Sequence, residues 1–149
     1  MYNITAYPLT DAAPLVFPAE EMNAADGKLV FTAPEGSNVQ VPFLNLSAFG
    51  LIAVHDDSKP QPDSVEGYVA VRMWRASTGL EIPSVLAKAA GYDPDNGRPN
   101  FDFGDLPNYF VWAQSDFFST MSVSDINAAP ATDEGADADS DDGADDQAA

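Results

Sequence analysis

The sequence predicts an all-β fold, a small sandwich or barrel of jelly-roll-like type, with one short helix near residues 83–90; an α+β domain is the alternative. Three observations predict it. Short apolar runs alternate with Pro, Gly, Asn and Asp turn signals at a spacing of roughly 8–12 residues. The longest apolar run, Phe49–Val54, has the length of a strand, far short of a membrane span. Only one segment carries both a helix start and a helix stop signal.

Taken in order, residues 1–27 contain "YNITAY", "PLVFP" and "EEMNAADG" and read as a proline-interrupted N-terminal arm or an irregular first strand. Residues 28–127 form the β-rich domain. "KLVFTA" ends at Pro34-Glu35-Gly36, and "NVQVPFLNL" and "SAFGLIAVH" follow. "DDSKPQPDS" is polar and proline-rich, hence a loop. "VEGYVAVRMW" is the clearest strand: Val69, Val71 and Met73 face one way, and Tyr68, Ala70, Arg72 and Trp74 the other. The runs on either side of the loop are expected to pair as a long-loop hairpin, and Trp74 to lie in the core or a tight interface. In "EIPSVLAKAAGYDP", Pro83 suits a first helical turn and Gly91 a C-terminal cap. Glu81 and Lys88 stand at the ends the helix dipole favours, and Val85, Leu86 and Ala89 would be the buried face. The turn "DPDNGRPN" leads to "FDFGDLPNYFVWAQSDFF". Residues 128–149 hold 8 acids, 8 alanines and no base, and read as a disordered acidic tail.

Composition narrows the classes of function. The 149-residue chain has no Cys and a single His, His55, which excludes disulfides, thiolate metal sites and Cys nucleophiles. No basic and apolar leader of the secretory kind opens the sequence, and the expected location is the virion if the protein is viral, otherwise the cytoplasm. Acids outnumber bases 24 to 6, for a net charge of −18. Residues 1–127 alone carry 16 acids against 6 bases. Such a surface repels phosphate backbones and anionic membranes, so neither nucleic acid nor membrane is an expected partner. Scarce Lys and abundant Asp suit high salt, where the Debye length falls to roughly 3 Å at 1 M. An ordinary acidic protein with a charged tail is the other reading.

The carboxylates offer no clear site. An EF-hand loop needs Asp at its first, third and fifth positions, Gly at the sixth and Glu at the twelfth. Asp137, Asp139 and Asp141 fit, but Asp142 takes the sixth place, Gly143 comes one residue late and Ala148 stands twelfth. Asp93–Gly97 misses because its Gly comes fifth. His55, next to Asp56 and Asp57, reads as a polar surface residue rather than half a metal site. Carboxylate pairs at Glu20-Glu21, Asp56-Asp57, Asp93/Asp95 and Asp102/Asp105 are expected by chance in so acidic a chain. No nucleophile elbow, phosphate loop or dinucleotide fingerprint is present. The expectation is a protein without enzymatic activity, cofactor or metal. Asn3 and Asn45 open formal glycosylation sequons.

Aromatic residues carry more information. Phe101, Phe103, Tyr109, Phe110, Trp112, Phe117 and Phe118 supply seven of the sixteen aromatics. In "NYFVWAQ", Tyr109, Val111 and Ala113 share one strand face and Phe110 and Trp112 the other, so the strand is sandwiched or meets a partner. The alternatives are core packing, a protein interface and a sugar platform. Arg72 and Arg75 flank Trp74 and either clamp an acidic partner or neutralise the chain's own carboxylates. The residues expected to make contacts between chains are Tyr2, Tyr7, Leu15, Phe17, Tyr109, Phe110, Trp112, Phe117 and Phe118.

In being acidic, Cys-free and β-rich, with a proline-rich arm and an acidic tail, the chain resembles accessory and minor structural proteins of virions. These include head decoration proteins of tailed viruses and capsid components of halophilic viruses. The resemblance is one of composition and layout and assigns no residue. It implies a structural assembly subunit whose partners are proteins, either further copies of itself in a homo-oligomer or a capsid-type protein. A carbohydrate- or ligand-binding β-module ranks second and an acidic nucleic-acid mimic third.

Overall fold

The structure is a computed structural model that describes residues 1–39 and 43–125. Twelve strands are described: β1 (Tyr2–Pro8), β2 (Leu15–Ala19), β3 (Glu21–Ala25), β4 (Lys28–Thr32), β5 (Phe43–Asn45), β6 (Phe49–Asp56), β7 (Val69–Arg75), β8 (Glu81–Ala87), β9 (Ala89–Tyr92), β10 (Pro99–Asp102), β11 (Asn108–Ala113) and β12 (Phe118–Asp125). Two short 3-10 turns, Leu46–Ala48 and Ser115–Phe117, precede β6 and β12. The fold is all-β, built of open antiparallel sheets without barrel closure.

The strand β6 organises it. Ile52 and Val54 point to one side and Leu51 to the other, and all three are buried, so this apolar run needs cover on both faces. It sits inside the sheet β11-β6-β1-β2. On one face Ile4, Ala6, Phe17, Ala19, Ile52 and Val54 pack against Leu29, Phe31 and Leu44 of the sheet β3-β4-β5. On the other, Leu51 meets Val71, Met73, Ile82 and Ala87 of the sheet β12-β7-β8. The arrangement is therefore three layers with β6 in the middle one. The ribbon β9-β10 lies beside β11, joined through the Phe101, Phe103 and Phe110 rings at 5.1–5.5 Å.

Local chemistry explains the turns. Asp26 (φ 55) and Gly27 (φ 75) both take left-handed backbone between the paired residues Ala25 and Lys28. That is the two-residue hairpin turn which Asp-Gly favours. Asp93 closes the β9-β10 loop: its Oδ1 accepts from Asp95 N–H at 2.8 Å and its carbonyl from Gly97 N–H at 2.8 Å. This stretch, one of the two weighed as a calcium loop, is a hairpin connection.

Two expectations, the helix and the hairpin, are corrected, and two others are narrowed to one of their alternatives. Residues 83–90 form β8 and β9 and no helix. Val71 pairs with Val85 and Met73 with Ile82, which leaves Pro83 and Ser84 opposite Arg72 in a bulge. Pro83, read as a helix start, is tolerated because β8 is an edge strand and the bulge needs no ladder donor there. Val85 and Leu86 are half-buried and Ala89 is exposed, whereas Ile82 and Ala87 are buried. The runs flanking the loop do not pair: β6 bonds to β1 and β11, and β7 to β8 and β12. Residues 1–27 are built into the fold as strands. β1 lies between β2 and β6, with Ile4 and Ala6 fully buried, so it is a first strand and not a free arm. Trp74 is half-buried on the outer face of β7, under the Arg72 guanidinium at 5.1 Å from its ring, and belongs to neither core cluster. The acidic tail, with its candidate calcium loop, lies outside the described residues.

Candidate functional site

The residues singled out as contact anchors separate into three groups. Phe17, Phe117 and Phe118 are buried core residues of this chain. Tyr2, Tyr7, Tyr109, Phe110 and Trp112 are half-buried at the seams between layers. Leu15 is exposed at 46%, and its neighbour Val16 at 70%. Alternation told which residues are apolar together, but not whether their cover comes from the same chain.

Arg75 ties the end of β1 to β7. This residue is 9% exposed, and its Nη2 donates to the carbonyl of Pro8 at 2.8 Å and also to that of Thr10. Its guanidinium lies 5.0 Å over the Phe117 ring. Arg72 instead pairs with Glu81, Nε to Oε2 at 2.7 Å and Nη2 to Oε1 at 2.9 Å. The hydrogen bonds from Arg72 hold the Glu81 carboxyl below its ordinary range. The arginine pair therefore serves its own chain, and neither member presents a free clamp.

His55 stands where β6 leaves the sheet. Its Nδ1 is 2.7 Å from Asn108 Oδ1 and its Nε2 3.1 Å from Asp57 Oδ1. Asp57 lies two residues along and on the same side, whereas Asp56 turns inward and accepts from the Ser58 hydroxyl at 2.6 Å and the Ser58 N–H at 3.0 Å. That hydroxyl bond lowers the Asp56 pKa below the usual carboxylate range. Among the described residues no group of three or more His, Asp or Glu is placed to hold a metal ion. Beside them, burial pushes the Tyr109 phenol up to about 12, with Tyr2 and Asp56 adding to the effect, and Lys59 lies 5.0 Å over its ring. Burial also raises Tyr7, partly offset by Arg75. Both phenols therefore stay protonated at neutral pH.

Two hollows follow from the layering. Where β8 bends away from the middle sheet, a cleft of about 430 Å³ opens between them. Leu51, Ala53, Ile82 and Phe110 give it an apolar floor, and Asn3, Thr5, His55, Asn108, Gln61 and Ser84 a polar rim. Among the described residues no Asp, Glu, Lys or Arg lines it. A second hollow of about 380 Å³ runs between β10 and β11, over Phe101, Phe103, Phe110 and Trp112. Arg98 stacks on Trp112 at 5.1 Å there, and its Nη2 donates to the Ala113 carbonyl at 3.4 Å. Trp112 itself donates Nε1–H to the Phe49 carbonyl at 2.8 Å. The sequence pointed to the aromatic hollow through its run of rings. It held no signal for the neutral cleft, whose walls come from β1, β6, β8 and β11.

Comparisons with protein-family models, with characterised proteins and with solved structures returned no match.

Proposed function

We propose that the chain is a non-enzymatic assembly protein that works through protein–protein contacts, of the class of virion accessory components such as a capsid decoration or minor capsid protein. The observation that carries the reading is the apolar edge at β2. Leu15 and Val16 point to opposite faces of this edge strand, and both are exposed, as is Leu9 in the connection from β1. Large aliphatic groups gathered at one edge of so acidic a chain suit a partner surface that removes them from water. The layout of acidic β-domain and acidic tail, which resembles such virion proteins, supports the same class.

The test compares the wild-type chain with a Leu15→Glu/Val16→Glu variant by sedimentation, alone and with the particle fraction of its source. Both side chains are outside the core, so the variant should melt within about 2 °C of wild type. It should no longer sediment with the particles. Wild-type chains that bind no particle and no second chain contradict the proposal.

The cleft, lined among the described residues by no Asp, Glu, Lys or Arg, favours a second reading, a binding module for an uncharged, mainly apolar ligand. Its volume falls within the range of small-molecule sites. Titration with the neutral dye N-phenyl-1-naphthylamine should then saturate at one site per chain, and Ala53→Trp should abolish it. No saturable binding at micromolar dye contradicts that reading.

A further inference from the structure

We infer that β12 is a self-association edge: two copies of the chain pair their β12 strands antiparallel, joining the two β12-β7-β8 sheets into one of six strands. The inference rests on the assembly reading and names one partner within it, a second copy of this chain.

An unpaired sheet edge is a template for another strand, and proteins usually blunt it. The other edges here carry such devices, the four-residue ribbon strands β9 and β10 through their shortness. β2 contains Pro18 and follows Pro14. β8 has Pro83 in a bulge. β11 is bulged at Val111, and Arg98 occupies the Ala113 carbonyl. β5 has three residues, and β3 begins at Glu21 directly after Glu20. β12 is bulged only at its start, at Ser119; from Thr120 to Ser124 it runs in regular register, contains no Pro and carries no charge. Among the described residues its sole strand partner is β7.

The hydrogen-bond pattern fixes which groups face outward. Arg75 N–H donates to the Leu80 carbonyl, just before β8, and Ala76 N–H to the Phe117 carbonyl, just before β12. Odd-numbered residues of β7 thus turn their backbone groups toward β8 and even-numbered ones toward β12. Ser122, opposite Arg72, and Ser124, opposite Ala70, therefore bond to β7. Met121 and Val123 turn their N–H and C=O groups away from the sheet. An antiparallel partner with Ser122 opposite Ser122 places Met121 opposite Val123 twice. Each of those pairs exchanges two backbone hydrogen bonds, four in all. Their side chains lie on the core-facing side, where Met121 is half-buried and Val123 is 40% exposed, so the pairing also extends the apolar layer. Thr120 meets Ser124 on the other face.

Charge selects the orientation. The 24 residues after Asp125 contain 8 acids and no base. A parallel pair would start both segments side by side. The antiparallel pair separates their starting points by roughly 20 Å, well beyond the Debye length of ~8 Å at physiological salt. Because each chain carries −18, the dimer should tighten as salt rises.

The absence of cysteine makes the test clean. Ser122→Cys puts the two copies of one exposed residue in a non-hydrogen-bonded pair, about 4.5 Å apart and within disulfide reach. Mild oxidation of the full chain should give a covalent dimer. Ser124→Cys should not, since its two copies lie about 13 Å apart. Val123→Pro removes only an outward N–H, so the monomer should keep its circular dichroism spectrum while the dimer weakens on the order of 100-fold. Efficient cross-linking of Ser124→Cys, or a Val123→Pro dimer within threefold of wild type, overturns the β12 pairing and leaves the assembly reading standing. A wild-type chain that stays monomeric to about 1 mM at low and high salt overturns the pairing too, and leaves the assembly reading to its particle-binding test.

Discussion

Gly50→Ala should destabilise the fold by about 3 kcal/mol or more, the upper part of the range for overpacking a filled core. The reason is a single close approach. A Cβ built on Gly50 would lie 1.9 Å from Phe117 Cδ1 and 2.1 Å from its Cγ, so the aromatic ring rests directly on the glycine backbone. The ring has little room to retreat. Phe118 stands edge-on to it at 5.3 Å, Tyr7 lies at 6.4 Å and the Arg75 guanidinium at 5.0 Å. Thermal unfolding should show a fall of roughly 10 °C. Phe117→Leu, costly alone, should recover part of the loss in the double variant, because the two residues contend for one volume. A Gly50→Ala protein within about 0.5 kcal/mol of wild type would show that the ring does not hold this position.

Arg75→Met should cost about 3 kcal/mol, nearly as much, for a different reason. Methionine keeps most of the apolar stem but offers no donor. The carbonyls of Pro8 and Thr10 then lose the charged donor that tethers the end of β1 to β7. The carbonyl of half-buried Pro8, stripped of its partner, costs on the order of 1–3 kcal/mol, and that of exposed Thr10 less, since water replaces the donor. Part of the loss is offset because, among the described residues, the guanidinium has no carboxylate partner and its buried Nε no hydrogen bond, so its removal relieves desolvation. Arg75→Lys should fall between, since an ammonium replaces a planar fork. Denaturant unfolding checks the order: wild type above Lys above Met. A methionine variant as stable as wild type would mean that desolvation outweighs the two hydrogen bonds.

These two residues also show what the sequence can disclose. The fold class was legible because short apolar runs and turn residues recur throughout. The run at Phe49–Val54 was legible as a strand, and its lack of polar alternation is what a strand buried on both faces requires. Period-two alternation placed Val69, Val71 and Met73 on one face of β7 but did not tell that this face is the buried one, and Trp74 on the other face was expected in the core or a tight interface. What alternation cannot supply is the identity of the covering element. Phe17, Phe117 and Phe118 therefore read as fit for a core or for an interface. The segment Glu81–Tyr92 misled because Pro83 and Gly91 suit helix ends as well as a bulged edge strand, and the choice is made by Val71 and Met73 across the ladder. The prolines at positions 8, 14 and 18 suggested an arm, whereas they punctuate two paired strands. Arg75 read as a clamp on an acidic partner or a neutraliser of the chain's own carboxylates because its acceptors, two main-chain carbonyls more than sixty residues away, leave no trace in composition. The neutral cleft and the bare β12 edge are properties of the assembled sheets, so single-strand patterns did not reveal them.

The native mass of the purified chain tests the central claim, that this protein acts by assembly, most directly. Sedimentation or native mass spectrometry across protein concentration, at about 0.15 M and about 1 M salt, should show an equilibrium between the 15.8 kDa chain and a species of twice that mass. Added salt should shift that equilibrium toward the larger species as it screens the like charges of the two chains. A constant 15.8 kDa at every concentration and salt, together with no association with the particle fraction of its source, would contradict the account.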